Sequence, residues 1–370
     1  MTLNKEILSG WVELSGFPKF TTTLLPFVLG AVLAWSEGFE FDGAVFAVSL
    51  LAVFLLTEFC FVLNACSVYA DLKERGVKFD REEGGQVRGE GEEEETSSFH
   101  STAASGRFDA LVKGRISVQQ ASRGAYLCVL AGFPLGVVLH FWFKTGPLTL
   151  PLGILGVLIP YSYSRGPRLS YHGLGELGLT AGVGWLTVFS GYYLQSHEVS
   201  WLPTVVALPW LVDVFKLKLT RELPDFECDL AINRRTLAIR LGKARTVRLY
   251  FPLTVCSWLA FLPLLFLDGV PRVGLVLLAA PVFFTAKSLV ALRKLDWRSN
   301  GVGERKGKGE REGEREREGE KEREGEKERE GEREREEVER GLRAVTRGAF
   351  TGMTLIPAVL IGIFALKIVL

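Results

Sequence analysis

The sequence predicts an all-α integral membrane protein with about nine transmembrane helices. Three observations predict it. Apolar residues gather in runs long enough to cross a hydrocarbon layer, which takes roughly 20 helical residues. Trp and Tyr recur near the ends of these runs, at Trp11, Trp35, Trp142, Trp201 and Tyr250, as suits side chains at a lipid–water boundary. The segments between runs alternate between rich and poor in Lys and Arg. Bulk composition says less, because 48% hydrophobic residues in 370 also fits a soluble domain.

In chain order the candidate spans are 20–36, 44–70, 119–142, 148–164, 174–195, 201–220, 246–267, 271–292 and 349–369. The first begins near Phe20 and lacks the basic region, short apolar core and small-residue cleavage site of a secretory leader, so it reads as a retained helix. Gly and Pro interrupt several runs, which membrane helices tolerate. Segments 71–118, 164–173, 214–248 and 293–348 are basic, whereas 37–43, 143–147, 196–200 and 268–272 carry almost no Lys or Arg. Positive loops stay on the cytoplasmic side. The N-terminus and the basic loops are therefore expected in the cytoplasm and, after nine spans, the C-terminus outside. A large soluble helical protein is the alternative, and the number of runs reaching spanning length disfavours it.

The expected organisation is a transmembrane core over 1–300, with a polar insertion at 84–106, a charged low-complexity tract at 301–340, and the last helix of the same domain at 341–370. The 301–340 tract repeats Glu-Arg-Glu-Gly-Glu-Lys. Opposite charges at helical spacing favour a solvated helix, but each Gly costs ~1 kcal/mol there. With nothing apolar to bury, a disordered or frayed helical tract is expected. The net charge of +1 gives little support to nucleic-acid binding. The five cysteines form no C-x-x-C pair and lie mostly in apolar runs, so neither a disulfide framework nor a zinc site is expected.

Two acidic stretches carry the chemistry. In RELPDFECDLAINRRTLAIRLG, residues 221–242, Asp225 and Asp229 are four apart and share a helical face, with Glu222 one turn earlier. Carboxylates grouped beside a membrane are costly unless paired or bound to a cation. Mg2+ suits them, because it takes oxygen ligands and keeps waters or phosphate oxygens in its shell. Lys216, Lys218, Arg221, Arg234 and Arg235 are nearby and suit a diphosphate. In NACSVYADLKERGVKFD, residues 64–80, Asn64 and Asp71 are seven apart, two helical turns. Asp80 follows Gly76, which is expected to end or bend the helix. Both stretches leave even-numbered spans on one side of the membrane, so they are placed to converge. A D-x-x-x-D alone is a weak signal, and either stretch could instead be a charged helix end facing water.

The sequence resembles the UbiA superfamily of intramembrane prenyltransferases, and within it the dihydroxynaphthoate prenyltransferases of menaquinone and phylloquinone synthesis. ELPDFECD with RTLAIRLG resembles the family's second acidic motif, LVKGRISVQQA at 111–121 the segment before the third helix, and YSYSRGPRLSYHGLGELG at 161–178 the loop between the fourth and fifth helices. The resemblance covers nearly the whole chain apart from the two polar tracts. It implies nine helices around a central cavity. It also implies Mg2+-dependent transfer from an allylic isoprenyl diphosphate to an aromatic acceptor, with the bilayer as the third partner and no nucleic acid. Asp225 and Asp229 fall on the second motif's metal-binding aspartates, Asp71 and Asp80 on the central and last aspartates of the first motif, and Glu222 is counted with the metal ligands. Tyr161, Tyr163 and Arg168 match the loop at the cavity's cytoplasmic mouth, and Lys19 a basic position at the start of the first helix. Asn64, Ser67, Lys73, Lys218 and Arg221 complete the expected substrate-binding set.

The chain departs from the family where the first motif usually reads Asn-Asp-x-x-Asp, having Ser67 and Val68, and has Arg221 where an Asn is common. Asn64 stands one turn before Ser67 as a substitute amide, and three motif aspartates suffice for one or two Mg2+. The expected chemistry is alkylation through an allylic cation, with Tyr161, Tyr163 and Phe61 as aromatic faces for it. Rival readings are another acceptor (homogentisate, hydroxybenzoate, chlorophyllide, haem or a glyceryl-phosphate lipid) and a transporter, for which Asp213 and Glu58 inside apolar runs are the support.

Overall fold

The computed structural model describes residues 5–15, 21–76, 109–267, 270–271, 274–294 and 317–369. Among them every regular element is helical. These are α1 (Lys5–Ser15), α2 (Leu24–Ser36), α3 (Gly43–Glu74), α4 (Asp109–Val112), α5 (Val118–Val137), α6 (Thr149–Ser164), α7 (Gly175–Leu179), α8 (Thr187–Ser196), α9 (Leu202–Arg221), α10 (Phe226–Ala231), α11 (Leu237–Leu241), α12 (Lys243–Leu259), α13 (Ala279–Lys294) and α14 (Arg317–Val369). A π-helical turn, Val138–Trp142, prolongs α5, and another, Thr180–Leu186, joins α7 to α8.

Among the described residues, each predicted span falls largely on helix. Five stretches are long and apolar enough to cross a membrane: Gly43–Glu74, Val118–Trp142, Lys243–Phe266, Gly274–Leu292 and Ala344–Val369. Leu24–Ser36 and Thr149–Ser164 are shorter apolar helices. Large apolar side chains face outward, among them Phe133, Phe141, Trp142, Trp201 and Phe266. In water such a surface would be a liability; in lipid it is the expected exterior of an integral membrane protein.

Local sequence sets the helix ends. The Asp42 carboxylate accepts from the Ala44 and Val45 amides and starts α3. Gly76, at φ +73°, lies just past its end, with its amide donating to the Lys73 carbonyl. Ser117 and Gln120 form a reciprocal capping box at the start of α5. Helices α2 and α8 touch through glycine. A β-carbon on Gly30 would come within 2.0 Å of the Val188 carbonyl oxygen, and one on Gly191 within 2.1 Å of that of Phe27. Small residues let membrane helices approach this closely.

The charged tract gives a different picture from the expected frayed segment. From Arg317 onward it is helix, continuous with the last apolar span through Val369. Starting a helix is the unfavourable step and extending one is cheap. The packed span, whose buried side chains include Met353, Ile356 and Leu360, supplies the nucleus. Residues 301–316, like the insertion at 84–106, lie outside the described residues.

Candidate active site

The two acidic stretches meet at one mouth. A cavity of ≈ 770 Å³ is lined by Asp71 and Arg75 from the end of α3, by Arg168 and Tyr171 from the loop after α6, and by Arg235 and Arg240 from the segment after α10. Asp71 accepts hydrogen bonds from the Arg168 guanidinium and the Tyr171 hydroxyl. Arg168 stacks 3.9 Å over the Tyr171 ring, and its own backbone is left-handed, at φ +50°. Burial, and then the hydrogen bond to Asp71, raise the Tyr171 phenol well above its ordinary range. Tyr171 therefore stays protonated, as a donor to Asp71 must.

Behind the cavity lining, Asp229 pairs with Arg234 at 3.0 Å, both side chains 1% exposed. The Arg234 guanidinium lies 5.8 Å from the centre of the Tyr171 ring and donates to the Tyr163 hydroxyl at 3.4 Å. The Arg235 amide donates to the Tyr171 carbonyl at 3.2 Å. One connected chain, Asp71–Tyr171–Arg234–Asp229, thus joins the first acidic stretch to the second. Asp225 is buried one helical turn before Asp229, whose amide donates to the Asp225 carbonyl at 2.8 Å.

The aspartates do not close into a cage. Among the described residues no three His, Cys, Asp or Glu side chains gather closely enough to hold a metal. Arginine and tyrosine satisfy Asp71 and Asp229 instead. The second oxygen of Asp229, Oδ2, is nonetheless buried with no hydrogen-bond partner. An anionic oxygen buried in this way is costly and fits a hard cation, which would take the rest of its shell from water and phosphate.

Glu222 is buried at the end of α9. It bonds Lys218 at 2.5 Å and shares a hydrogen bond with the Glu176 carboxyl, whose Oε1 also accepts from the Leu237 amide at 3.3 Å. Burial, opposed by Lys218 and aided by Glu176, pushes the Glu222 carboxyl up to about 7. Lys218 lies 5.8 Å over the Tyr163 ring, close to Arg234 and Asp229. Lys216, two residues earlier, points away and pairs with Asp213 at 2.6 Å, both essentially inaccessible. Asp213 thus has a cationic partner within the helix bundle.

Ser67 accepts from Arg165 at 3.0 Å, an arginine that sequence reasoning passed over. The Asn64 side-chain oxygen is buried without a hydrogen-bond partner. Arg221 is half-buried at the end of α9, Lys73 is exposed in the last turn of α3, and Tyr161 is 38% exposed against Gly166. Lys19 and Asp80 lie outside the described residues. A second cavity, of ≈ 610 Å³ and nearly all apolar, runs below the mouth between α3, α5, α6 and the α7–α8 segment. Tyr163 lines its upper end and Phe61 one wall.

A helix bundle with a lipid-facing apolar exterior, an arginine-rimmed cavity and an apolar chamber has the layout of an intramembrane enzyme. The profile of the UbiA prenyltransferase family matches residues 23–300, so the chain belongs to that family and is a prenyltransferase. It is 27% identical over 297 residues to the 1,4-dihydroxy-2-naphthoate octaprenyltransferase of Escherichia coli, a match covering 77% of this chain and 86% of the relative. It is 26% identical over 237 residues to the 2-carboxy-1,4-naphthoquinone phytyltransferase of Synechocystis, covering 63% and 66%. Among solved structures, a UbiA homologue from Archaeoglobus fulgidus bound to GPP and Mg2+ matches with a TM-score of 0.56 at 13% identity, over 98% of this chain and 100% of the other. The apo UbiA homologue from Aeropyrum pernix matches at 0.51 and 17% identity, over 73% and 87%. At such identities these structures bear on the fold alone.

Proposed function

We propose that the chain transfers an isoprenyl group from an allylic isoprenyl diphosphate to an aromatic acceptor of the 1,4-dihydroxy-2-naphthoate kind, in quinone synthesis, with Mg2+ as cofactor. The observation that carries this reading is a cavity lined by residues of both acidic stretches and by arginines, in a bundle that also encloses an apolar chamber. The names of the curated relatives support the acceptor class. The charge alternation of the loops supports nine spans, a cytoplasmic mouth and N-terminus, and an external C-terminus.

Asp225, Asp229 with its unpartnered Oδ2, and Asp71 are the residues that would hold Mg2+. The ion, when bound, neutralises diphosphate oxygens and makes them a better leaving group. Arg168, Arg235 and Arg240 line the mouth and offer planar, multidentate donors to the same oxygens. The donor's carbon–oxygen bond breaks towards the diphosphate, leaving an allylic cation beside the Tyr163 ring, whose face attracts it. The electron-rich acceptor ring attacks that carbon, and the ring's carboxylate leaves as CO2, its bonding pair returning to the ring to restore aromaticity. The apolar chamber keeps water from capturing the cation first.

The test uses the protein in lipid vesicles with geranylgeranyl diphosphate and a panel of naphthoate, benzoate and homogentisate acceptors. Prenylated naphthoate should form with Mg2+ and vanish on chelation. Asp225→Asn and Asp229→Asn should each lower the rate by about 100-fold or more. Full activity in both variants would remove the metal assignment, and a product on another acceptor would replace the naphthoate.

A further inference from the structure

A pair of opposite charges lies inside the bundle, on the side of α9 turned away from Tyr163. Asp213 and Lys216 stand one helical turn apart, 2.6 Å from one another, with side chains 0% and 1% exposed. Beyond each other, neither makes a hydrogen bond. The Lys216 ammonium lies 5.3 Å over the Tyr250 ring of α12, within reach of the attraction between a cation and an aromatic face. Tyr250 is itself buried, and its hydroxyl is close to Asp213 and to Ser288 of α13. Ser288 in turn packs on α14, where a β-carbon on Gly348 would come within 2.5 Å of its hydroxyl. Polar groups of α9, α12 and α13 thus meet at one point, closed off by α14.

Stability does not account for such a pair. Taking two charges out of water is costly, and apolar side chains packed in their place are often as stable or more so. The rest of α9 suggests another use. Pro209, one turn before Asp213, has no amide to give the Val205 carbonyl, so the ladder of helical hydrogen bonds is interrupted there. The stretch beyond it, up to Arg221, is held less firmly by the first half of the helix. That stretch carries Lys218, two residues and so about 200° around the helix from Lys216. Lys218 bonds Glu222 at 2.5 Å and lies 5.8 Å over the Tyr163 ring. A rotation of α9 that took Lys216 off Tyr250 would also take Lys218 off Tyr163.

We propose that Asp213 and Lys216, by gripping Tyr250, are positioning residues that set the rotation of the second half of α9 and so hold Lys218 at the donor site. The inference rests on the reading of Lys218 as part of the prenyl-donor site and adds what keeps it there.

The test replaces both charges by apolar side chains, Asp213→Leu with Lys216→Met, in the full chain in lipid vesicles. The thermal midpoint should stay at or above that of the unaltered chain, while transfer from geranylgeranyl diphosphate falls about tenfold. Lys218→Met should cost about as much, and the three substitutions together no more than Lys218→Met alone, because residues that act as one unit are not additive. Lys216→Arg, which keeps a cation beside Asp213 and over the ring, should retain transfer. Amide hydrogen exchange should quicken over 214–221 in the double variant and stay unchanged in α3 and α6. If the double variant does not fold, Tyr250→Leu, which removes what the pair grips, goes through the same cycle with Lys218→Met. Full transfer in the double variant overturns the proposal. So does a triple variant whose loss is the product of the separate losses, about a hundredfold, since the pair then acts on the fold and not through Lys218. Full transfer in Lys218→Met overturns it as well, by taking Lys218 out of the donor site. No transfer by the unaltered chain overturns the prenyl-donor reading instead; exchange over 214–221 then decides the grip on α9 alone, and unchanged exchange overturns it.

Discussion

Tyr171 is the residue on which the mouth turns. Its hydroxyl serves Asp71, its ring takes Arg168 and Arg234, and its carbonyl takes the Arg235 amide. Tyr171→Phe should leave the bundle folded while cutting transfer by about 10–100-fold, the cost of losing an orienting partner. Unchanged rates in vesicles would show that Asp71 needs no such anchor. Asp225 and Asp229 stood out in the sequence by their four-residue spacing, and Asp71 by its place after an apolar run, with the family resemblance pointing to all three. Tyr171 was not, since a Tyr in an interfacial loop has the same sequence signature as a membrane anchor. Positive φ at Gly166, Arg168 and Gly173 turns that loop, in which both side chains reach Asp71. Lys216 and Lys218 were equally plausible by composition, and the helix sends them to opposite faces.

Glu222 gives a pH signature at the same scale. Its carboxyl is raised to about 7 in the folded chain from an ordinary 4.5, by burial and the neighbouring Glu176. The folded state therefore holds the proton more tightly than the unfolded one. This contribution is complete below 4.5 and is lost as pH rises through about 7. The thermal midpoint should fall between pH 5 and 8, and Glu222→Gln should remove that part of the slope. An identical slope in the variant would contradict the shared-proton arrangement.

At the scale of elements, the contact of α2 with α8 depends on two glycines whose β-carbons would strike backbone. Backbone cannot yield as a side chain can, so Gly30→Leu or Gly191→Leu should destabilise the bundle by at least about 1–3 kcal/mol. Thermal unfolding in detergent measures it, and a midpoint equal to that of the unaltered chain would contradict the close approach. Sequence showed both helices but not which pair touches, since Gly within an apolar run signals close packing without naming the partner. The helix end at Gly76 was readable for the opposite reason: a glycine following a charged last turn is a local signal. The helical stretch beyond Arg317 was not, because glycine and solvated charge oppose helix locally while the attached span sustains it.

At the scale of the whole molecule, hydropathy located the helical segments, and loop charge gives them a direction. A single cysteine placed near the C-terminus of an otherwise cysteine-free chain should react with an impermeant maleimide from outside, and one placed in 301–316 only after the membrane is opened. The reverse pattern would invert the topology. What hydropathy does not reveal is that Tyr163, in the lining of the apolar chamber, accepts from Arg234, the buried partner of Asp229.

The most direct measurement is metal binding at that mouth. With Mn2+ standing in for Mg2+ and inorganic diphosphate present, electron paramagnetic resonance of the vesicle-bound protein should show a bound ion. Asp71→Asn and Asp229→Asn, on separate helices, should each weaken it by about tenfold or more. Full binding in Asp71→Asn beside complete loss in Asp229→Asn would mean that the two acidic stretches serve different ends, and the account of a shared site would be wrong.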